Sequence, residues 1–152
     1  MMNAGRMFLC FALAVAALPL MATADAQSGL SGYGSPRQYY SSWSKHPTKD
    51  YHYRRLYYKP SNSYVGYKHH YVIYYPSKPQ HCYFFNPYSK TYWGRCEINH
   101  GGKYSLLAPQ DRKTVVTEIP ESAFPKPADP PVLDDTEDNI RLDLPPDDLP
   151  LE

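Results

Sequence analysis

Hydrophobic positions alternate with turn signals through the middle of this chain, and the alternation has the period of strands. Tyr71-Val72-Ile73-Tyr74-Tyr75, Cys82-Tyr83-Phe84-Phe85 and Thr91-Tyr92-Trp93 are short aromatic and β-branched runs. Between them stand Pro76-Ser77-Lys78-Pro79 and Asn86-Pro87-Tyr88-Ser89-Lys90, and His100-Gly101-Gly102 comes after the last. Such clusters end strands and reverse the chain. Tyr104 to Leu107 offers a last strand. Nothing here keeps helical spacing for more than a turn, and the prolines fall between the apolar runs, where a sheet tolerates them. The pattern predicts a small, mostly β fold: an antiparallel meander of three to five strands over Tyr51 to Leu107.

Two flanks differ from this module. Residues 27–50 are Ser-, Gly- and Tyr-rich with Pro36 and Pro47, and read as a flexible lead from which Tyr39, Tyr40 and Trp43 could dock. Residues 114–152 hold eight prolines and a single aromatic, Phe124. That composition predicts a disordered or extended tail, since it buries too little apolar surface to offset ordering entropy. Its PxxP pattern at Pro127 and Pro130 reads as a stiff spacer. A faint repeat marks hairpins as the unit: Tyr57-Tyr58-Lys59-Pro60 then Ser63-Tyr64-Val65-Gly66, and Phe84-Phe85-Asn86-Pro87 then Thr91-Tyr92-Trp93-Gly94.

The start of the chain changes the cellular picture. Arg6 precedes an apolar run from Met7 to Met21, and Ala24-Asp25-Ala26 gives a small-x-small cleavage pattern. Residues 1–26 therefore read as a secretory signal, with export to the periplasm, cell surface or exterior. A retained anchor is the other reading, but the run contains Pro19 and is short of the ~20 residues a spanning helix needs. After cleavage no membrane-spanning segment is expected.

Export gives the cysteines a meaning. Cys10 leaves with the signal, and Cys82 and Cys96 remain. An even count in an oxidising compartment points to a disulfide. A hairpin turn centred on Ser89 places Cys82 opposite Cys96, Tyr83 opposite Arg95, Phe84 opposite Gly94 and Phe85 opposite Trp93. A bridge closing a loop of this size contributes about 3 kcal/mol in the chain-entropy model.

Charge is divided between the parts. From Gln27 to Lys113, 13 Lys and Arg face Asp50, Glu97 and Asp111, a balance of +10. From Thr114 onwards, Lys126 and Arg141 face 11 Asp and Glu, a balance of −9. The opposed blocks predict a tail that folds back loosely on the body and competes with anionic partners.

No GxSxG elbow, HExxH or phosphate-binding glycine loop is present, and Glu97 is alone among carboxylates in the module. A catalytic site is not expected, nor is a cofactor. His46, His52, His69, His70, His81 and His100 lack metal-ligand spacing, and neighbours such as His69 and His70 point to opposite faces of a strand. Bases interleave with aromatics at Tyr53-Arg54-Arg55 and at Tyr92-Trp93-Gly94-Arg95. The mixture resembles nucleic-acid platforms, but export disfavours that partner and suits an anionic polymer, a glycan or a protein. The candidate binding residues are Tyr83, Tyr92, Trp93, Arg95, Arg54 and Arg55. A structural or assembly protein is the alternative, and an enzyme without a known motif comes third.

The strings Tyr92-Trp93-Gly94-Arg95 and Ile119-Pro120-Glu121-Ser122-Ala123-Phe124-Pro125, with Tyr104-Ser105-Leu106-Leu107 and Asp111-Arg112-Lys113, resemble a family of small, tyrosine-rich exported bacterial proteins. The likeness spans roughly Tyr51 to Pro131. It implies bacterial export and carries no activity or site residue with it.

Overall fold

A computed structural model of the chain describes residues 36–98 and 102–150. The expected signal segment (residues 1–26), the first part of the lead (residues 27–35) and His100 lie outside the described residues. Seven strands form one antiparallel sheet: β1 (Gln38–Tyr40), β2 (Ser44–Lys45), β3 (His52–Tyr58), β4 (Lys68–Tyr74), β5 (His81–Asn86), β6 (Thr91–Glu97) and β7 (Tyr104–Leu106). Their order is β1-β3-β4-β5-β6-β7, with β2 also pairing on β3 beyond β1. The expected antiparallel meander is present as β3 to β7. Two strands more, β1 and β2, come from the described part of the lead.

No period runs through the lead, and its letters alone therefore suggest flexibility. Its order comes from outside: Gln38, Tyr39 and Tyr40 pair with Tyr58, Tyr57 and Leu56 of β3. β3 itself has no aliphatic stripe to announce it. Its inward positions are His52, Arg54, Leu56 and Tyr58, all buried.

The β5–β6 hairpin has the register its cysteines predict. Cys82 faces Cys96, Tyr83 faces Arg95 and Phe84 faces Gly94. Beyond that rung the register shifts, and Phe85 faces Tyr92 instead of Trp93. The shift is a bulge: Trp93 becomes the extra residue and its ring turns to the opposite face, against Phe84 at 4.8 Å and His70 at 5.8 Å. The turn is fixed by Asn86, whose Oδ1 accepts the amides of Tyr88 and Ser89, and by Lys90 in the left-handed region at φ 58°. The faint repeat does not extend past its first half. Ser63 to Gly66 forms the β3–β4 turn, whereas Thr91 to Gly94 lies in β6.

Gly94 is required for close approach. A Cβ there would stand 2.8 Å from the Ser105 carbonyl oxygen on β7. Backbone cannot swing aside as a side chain does, so Gly94→Ala should push β7 away and cost about 1–2 kcal/mol. Urea unfolding of the variant checks this; an unchanged midpoint would mean β7 yields without cost.

The largest departure from expectation is the tail. Residues 114–150 do not hang free. They cross both faces of the sheet; short 3-10 turns at Val116–Glu118 and Glu121–Ala123 lie in this segment, and a third at Pro109–Asp111 leads into it. On one face, Leu133 and Leu142 complete a core with Leu56, Tyr58, Val72, Phe84 and Trp93. On the other, Val116, Ile119 and Phe124 pack with Ile73, Tyr83, Tyr92 and Leu107. A single sheet has two faces to bury, and a module rich in tyrosine has few aliphatic residues with which to cover them. The few that the tail owns are placed there. The PxxP stretch is part of this wrap: Ala128 exchanges two backbone hydrogen bonds with Tyr104, capping the outer edge of β7.

Charge seats the same segment. Bases of the body meet tail carboxylates in six ion pairs among the described residues: Arg37–Asp138, Arg54–Asp148, Lys68–Asp135, Arg95–Glu121, Lys103–Asp129 and Arg112–Asp134. In place of the loose, competing tail that the charge blocks predict, the chain has a fitted strap.

Candidate functional site

The six residues singled out from the sequence occupy very different places. Trp93 and Tyr83 are core side chains. Arg54 is 1% exposed; its guanidinium stacks on Trp43 at 4.2 Å and donates to Asp148 Oδ2 at 2.7 Å. Arg95 lies over the Phe124 ring at 4.0 Å, donates to Glu121 and leaves little surface. Tyr92 is buried, with its hydroxyl hydrogen-bonded to that of Tyr75 at 2.7 Å. Arg55 is the member left half-exposed, with its guanidinium 5.7 Å from the Tyr71 ring and 6.0 Å from that of Tyr53. Arg54 and Arg95, which look like ligand anchors in the sequence, are here fastenings of the strap.

Arg95 explains the two strings that stand out in the sequence. It comes from Tyr92-Trp93-Gly94-Arg95, and its two partners, Glu121 and Phe124, both come from Ile119 to Pro125. Glu121 is held below the usual carboxylate range by its hydrogen bond to Arg95. The strings are the two sides of one lock.

The accessible feature is an open groove of about 740 Å³ on the Tyr83 face, between the loop leading into β3 and the strap at Thr114 to Thr117. Period-two alternation brings its rings together: Tyr53 from β3, Tyr71 from β4, and Tyr51 and Tyr75 from the adjoining loops. Tyr53 and Tyr71 meet edge to face at 5.7 Å, and Tyr51 and Tyr75 at 5.4 Å. Beyond the groove the row continues through His69, 5.1 Å from Tyr71, to Tyr57, which stacks on Tyr39 at 4.8 Å.

Burial raises the pKa of Tyr51 and Tyr75, and the neighbouring phenols raise that of Tyr51 further. These groups are neutral hydroxyls at ordinary pH. At one end His46 packs on Tyr51 at 4.7 Å, and its Nδ1 accepts the amides of Thr48 and Lys49 at 3.2 and 3.1 Å. Nδ1 is therefore the unprotonated nitrogen of a neutral ring. Lys49 and Asp50 stand beside it and cancel in charge. The site offers ring faces, hydroxyls and one carboxylate, with no net charge.

On the other face the strap roofs a smaller cavity of about 210 Å³ that reaches Cys82 and Cys96. The two cysteines are buried thiols, and no disulfide is formed among the described residues. Cys82 is pushed well above the ordinary thiol range by its hydrogen bond with Cys96 and by burial. Among the described residues no group of three or more His, Cys, Asp or Glu is placed to hold a metal ion. None of their helices is long and apolar enough to cross a membrane.

Neither a family model, nor a curated protein, nor a solved structure matches this chain.

Sequence reasoning missed Tyr51, Tyr53, Tyr71 and Tyr75 as a set. The signal was present in the i, i+2 spacing of Tyr51-x-Tyr53 and in Tyr71 on the facing strand. It was hidden because 16 tyrosines supply many such pairs.

Proposed function

We propose that this chain is an exported, non-catalytic binding module of the cell envelope or extracellular space, which takes its ligand on the aromatic side of the sheet. The observation that carries this is a division of labour. Arg54 and Arg95 are committed to the strap, while the tyrosine row on β3 and β4 is left open beside a formed groove. These rings pack on the second core with one side and line an open groove with the other, and a formed groove on a rigid sheet is where recognition is expected. Six bases of the body face strap carboxylates, and the tyrosine row is therefore favoured over the basic body as the binding surface. Residues 1–26 support export.

The Cys82–Cys96 pair fits the same reading. Ile98 N donates to Gln80 O at 2.9 Å, two rungs away, so the cysteines occupy a hydrogen-bonded rung. Such rungs place Cα atoms about 5.5 Å apart, within the range of a disulfide. In an oxidising compartment the pair is expected to close. Alkylation of the unfolded native protein should then find both thiols protected until a reductant is added; two reactive thiols without reductant would count against closure.

Binding itself is tested by co-sedimentation of the mature chain with envelope fragments. The wild-type chain should pellet with them, and Tyr53→Ala or Tyr71→Ala should leave it in the supernatant while still unfolding in one cooperative transition at a somewhat lower temperature. If the chain pellets alone as a large assembly, the alternative of a structural protein takes over.

A further inference from the structure

We infer that the groove between the β3 loop and the strap is a site for an uncharged glycan, whose sugar rings lie on Tyr51, Tyr53 and Tyr71. This rests on the binding reading above and deepens it by naming the ligand's chemistry. A pyranose ring has a face of C–H bonds and a rim of hydroxyls. It is best met by an aromatic face with donors and acceptors around its edge, which is what tyrosine combines in one side chain. The groove holds such rings in pairs, 5.4 and 5.7 Å apart, and adds Thr114, Thr117 and the Asp50 carboxylate as hydroxyl partners.

Charge separates this ligand from its competitors. A polyanion needs several bases along its path to gain by counterion release. The row offers it Arg55, whose guanidinium lies over the Tyr53 and Tyr71 rings, and Lys49, which has Asp50 next to it. The other bases of this module that pair with the strap, Arg54 and Lys68 among them, face its carboxylates. An aliphatic ligand would find phenols and threonines where it needs methyl groups. The size agrees as well: pockets for small ligands run about 300–1,000 Å³, and this one lies within that range. The row through His69 to Tyr57 and Tyr39 extends the platform along one direction, as a linear chain of sugars would use it.

The test is calorimetric titration of the full mature chain with soluble neutral oligosaccharides (glucose, mannose and N-acetylglucosamine oligomers) and with two polyanions, polyglutamate and dextran sulfate. Each is run at low and at high salt. At least one neutral oligomer should bind, its Kd should change less than about twofold with salt, and Tyr71→Ala should weaken it about tenfold or more, as truncated aromatic anchors do. Tyr51→Ala, in a loop and outside the sheet, should act in the same direction and guards against a folding defect in the first variant. Neutral binding untouched by both substitutions would overturn the site. Binding only to polyanions, abolished by salt, would overturn the ligand class and leave the binding module standing. Envelope co-sedimentation without binding to any oligosaccharide would do the same, pointing to a protein partner. Failure of every ligand and of the envelope would remove both proposals.

Discussion

Deleting residues 114–152 is expected to leave a chain that no longer unfolds cooperatively. Val116, Ile119, Leu133 and Leu142 are all at least nine-tenths buried, and each belongs to one of the two cores. Burying such a side chain contributes about 1.5–3 kcal/mol. Four of them are comparable to the whole stability of a small domain, about 5–15 kcal/mol. The carboxylates that accompany them matter less one by one. Those pairing with Arg37, Arg54, Arg95, Lys103 and Arg112 have side chains between 48% and 74% exposed, where solvent screens an ion pair. The apolar contacts therefore decide the outcome. Near-ultraviolet circular dichroism, with 16 tyrosines as reporters, should lose its fine structure, and the melt should broaden. A sharp transition within a few degrees of wild type would show that the sheet stands without its strap.

Acid should destabilise the protein well before its carboxylates titrate. His70 is 5% exposed, packed between Tyr58 and Trp93 under the strap. Tyr58 donates its hydroxyl proton to Asp135 at 2.7 Å, so the His70 Nε2, 3.4 Å away, faces an oxygen and carries the proton of a neutral ring. Burial lowers its pKa to about 4; the nearby Asp135 and Asp134 pull up, His69 and Lys68 pull down. An unfolded histidine titrates near 6.5. Between those two values the unfolded chain binds a proton that the folded chain refuses, so stability falls as pH falls through this window. Full traverse costs about 3 kcal/mol at about 1.4 kcal/mol per pH unit. Below it Asp135 adds a loss in the same direction. Burial raises its pKa, but the hydrogen bonds of Lys68 and Tyr58 outweigh this and hold it below the usual value. Urea midpoints measured from pH 7 to pH 4 should therefore decline for wild type and decline less steeply for His70→Phe, in which His69 and His81, their pKa values also lowered by burial, still contribute. Parallel declines in the two proteins would place the proton elsewhere.

How much of this was legible depended on what each residue answers to. The β5–β6 rungs were readable because two cysteines, a glycine and a turn all constrain one hairpin, and Cys82, Tyr83 and Phe84 found the partners expected of them. Phe85 did not, because a bulge adds a residue without changing composition, and so Trp93 changed faces. Arg54 and Arg95 read as ligand groups because an isolated arginine in a sequence carries no sign of what will neutralise it. Their partners lie 94 and 26 residues away. The tail misled for the same reason. Prolines and carboxylates give no period, and a segment without a period can be ordered only by a surface it did not build. The groove was the least legible part. Its tyrosines differ from the core tyrosines in exposure alone, which no string of letters records.

The bond from Arg54 to Asp148 has a kinetic consequence. A ribosome delivers Asp148 long after β3, and until it arrives the guanidinium has no carboxylate and the two thiols have no roof. The native topology can therefore assemble only once almost the whole polypeptide is available. Under the export proposed above, such late closure would keep the chain unfolded during passage across a membrane and leave the sulfurs within reach of an oxidant until the moment of completion.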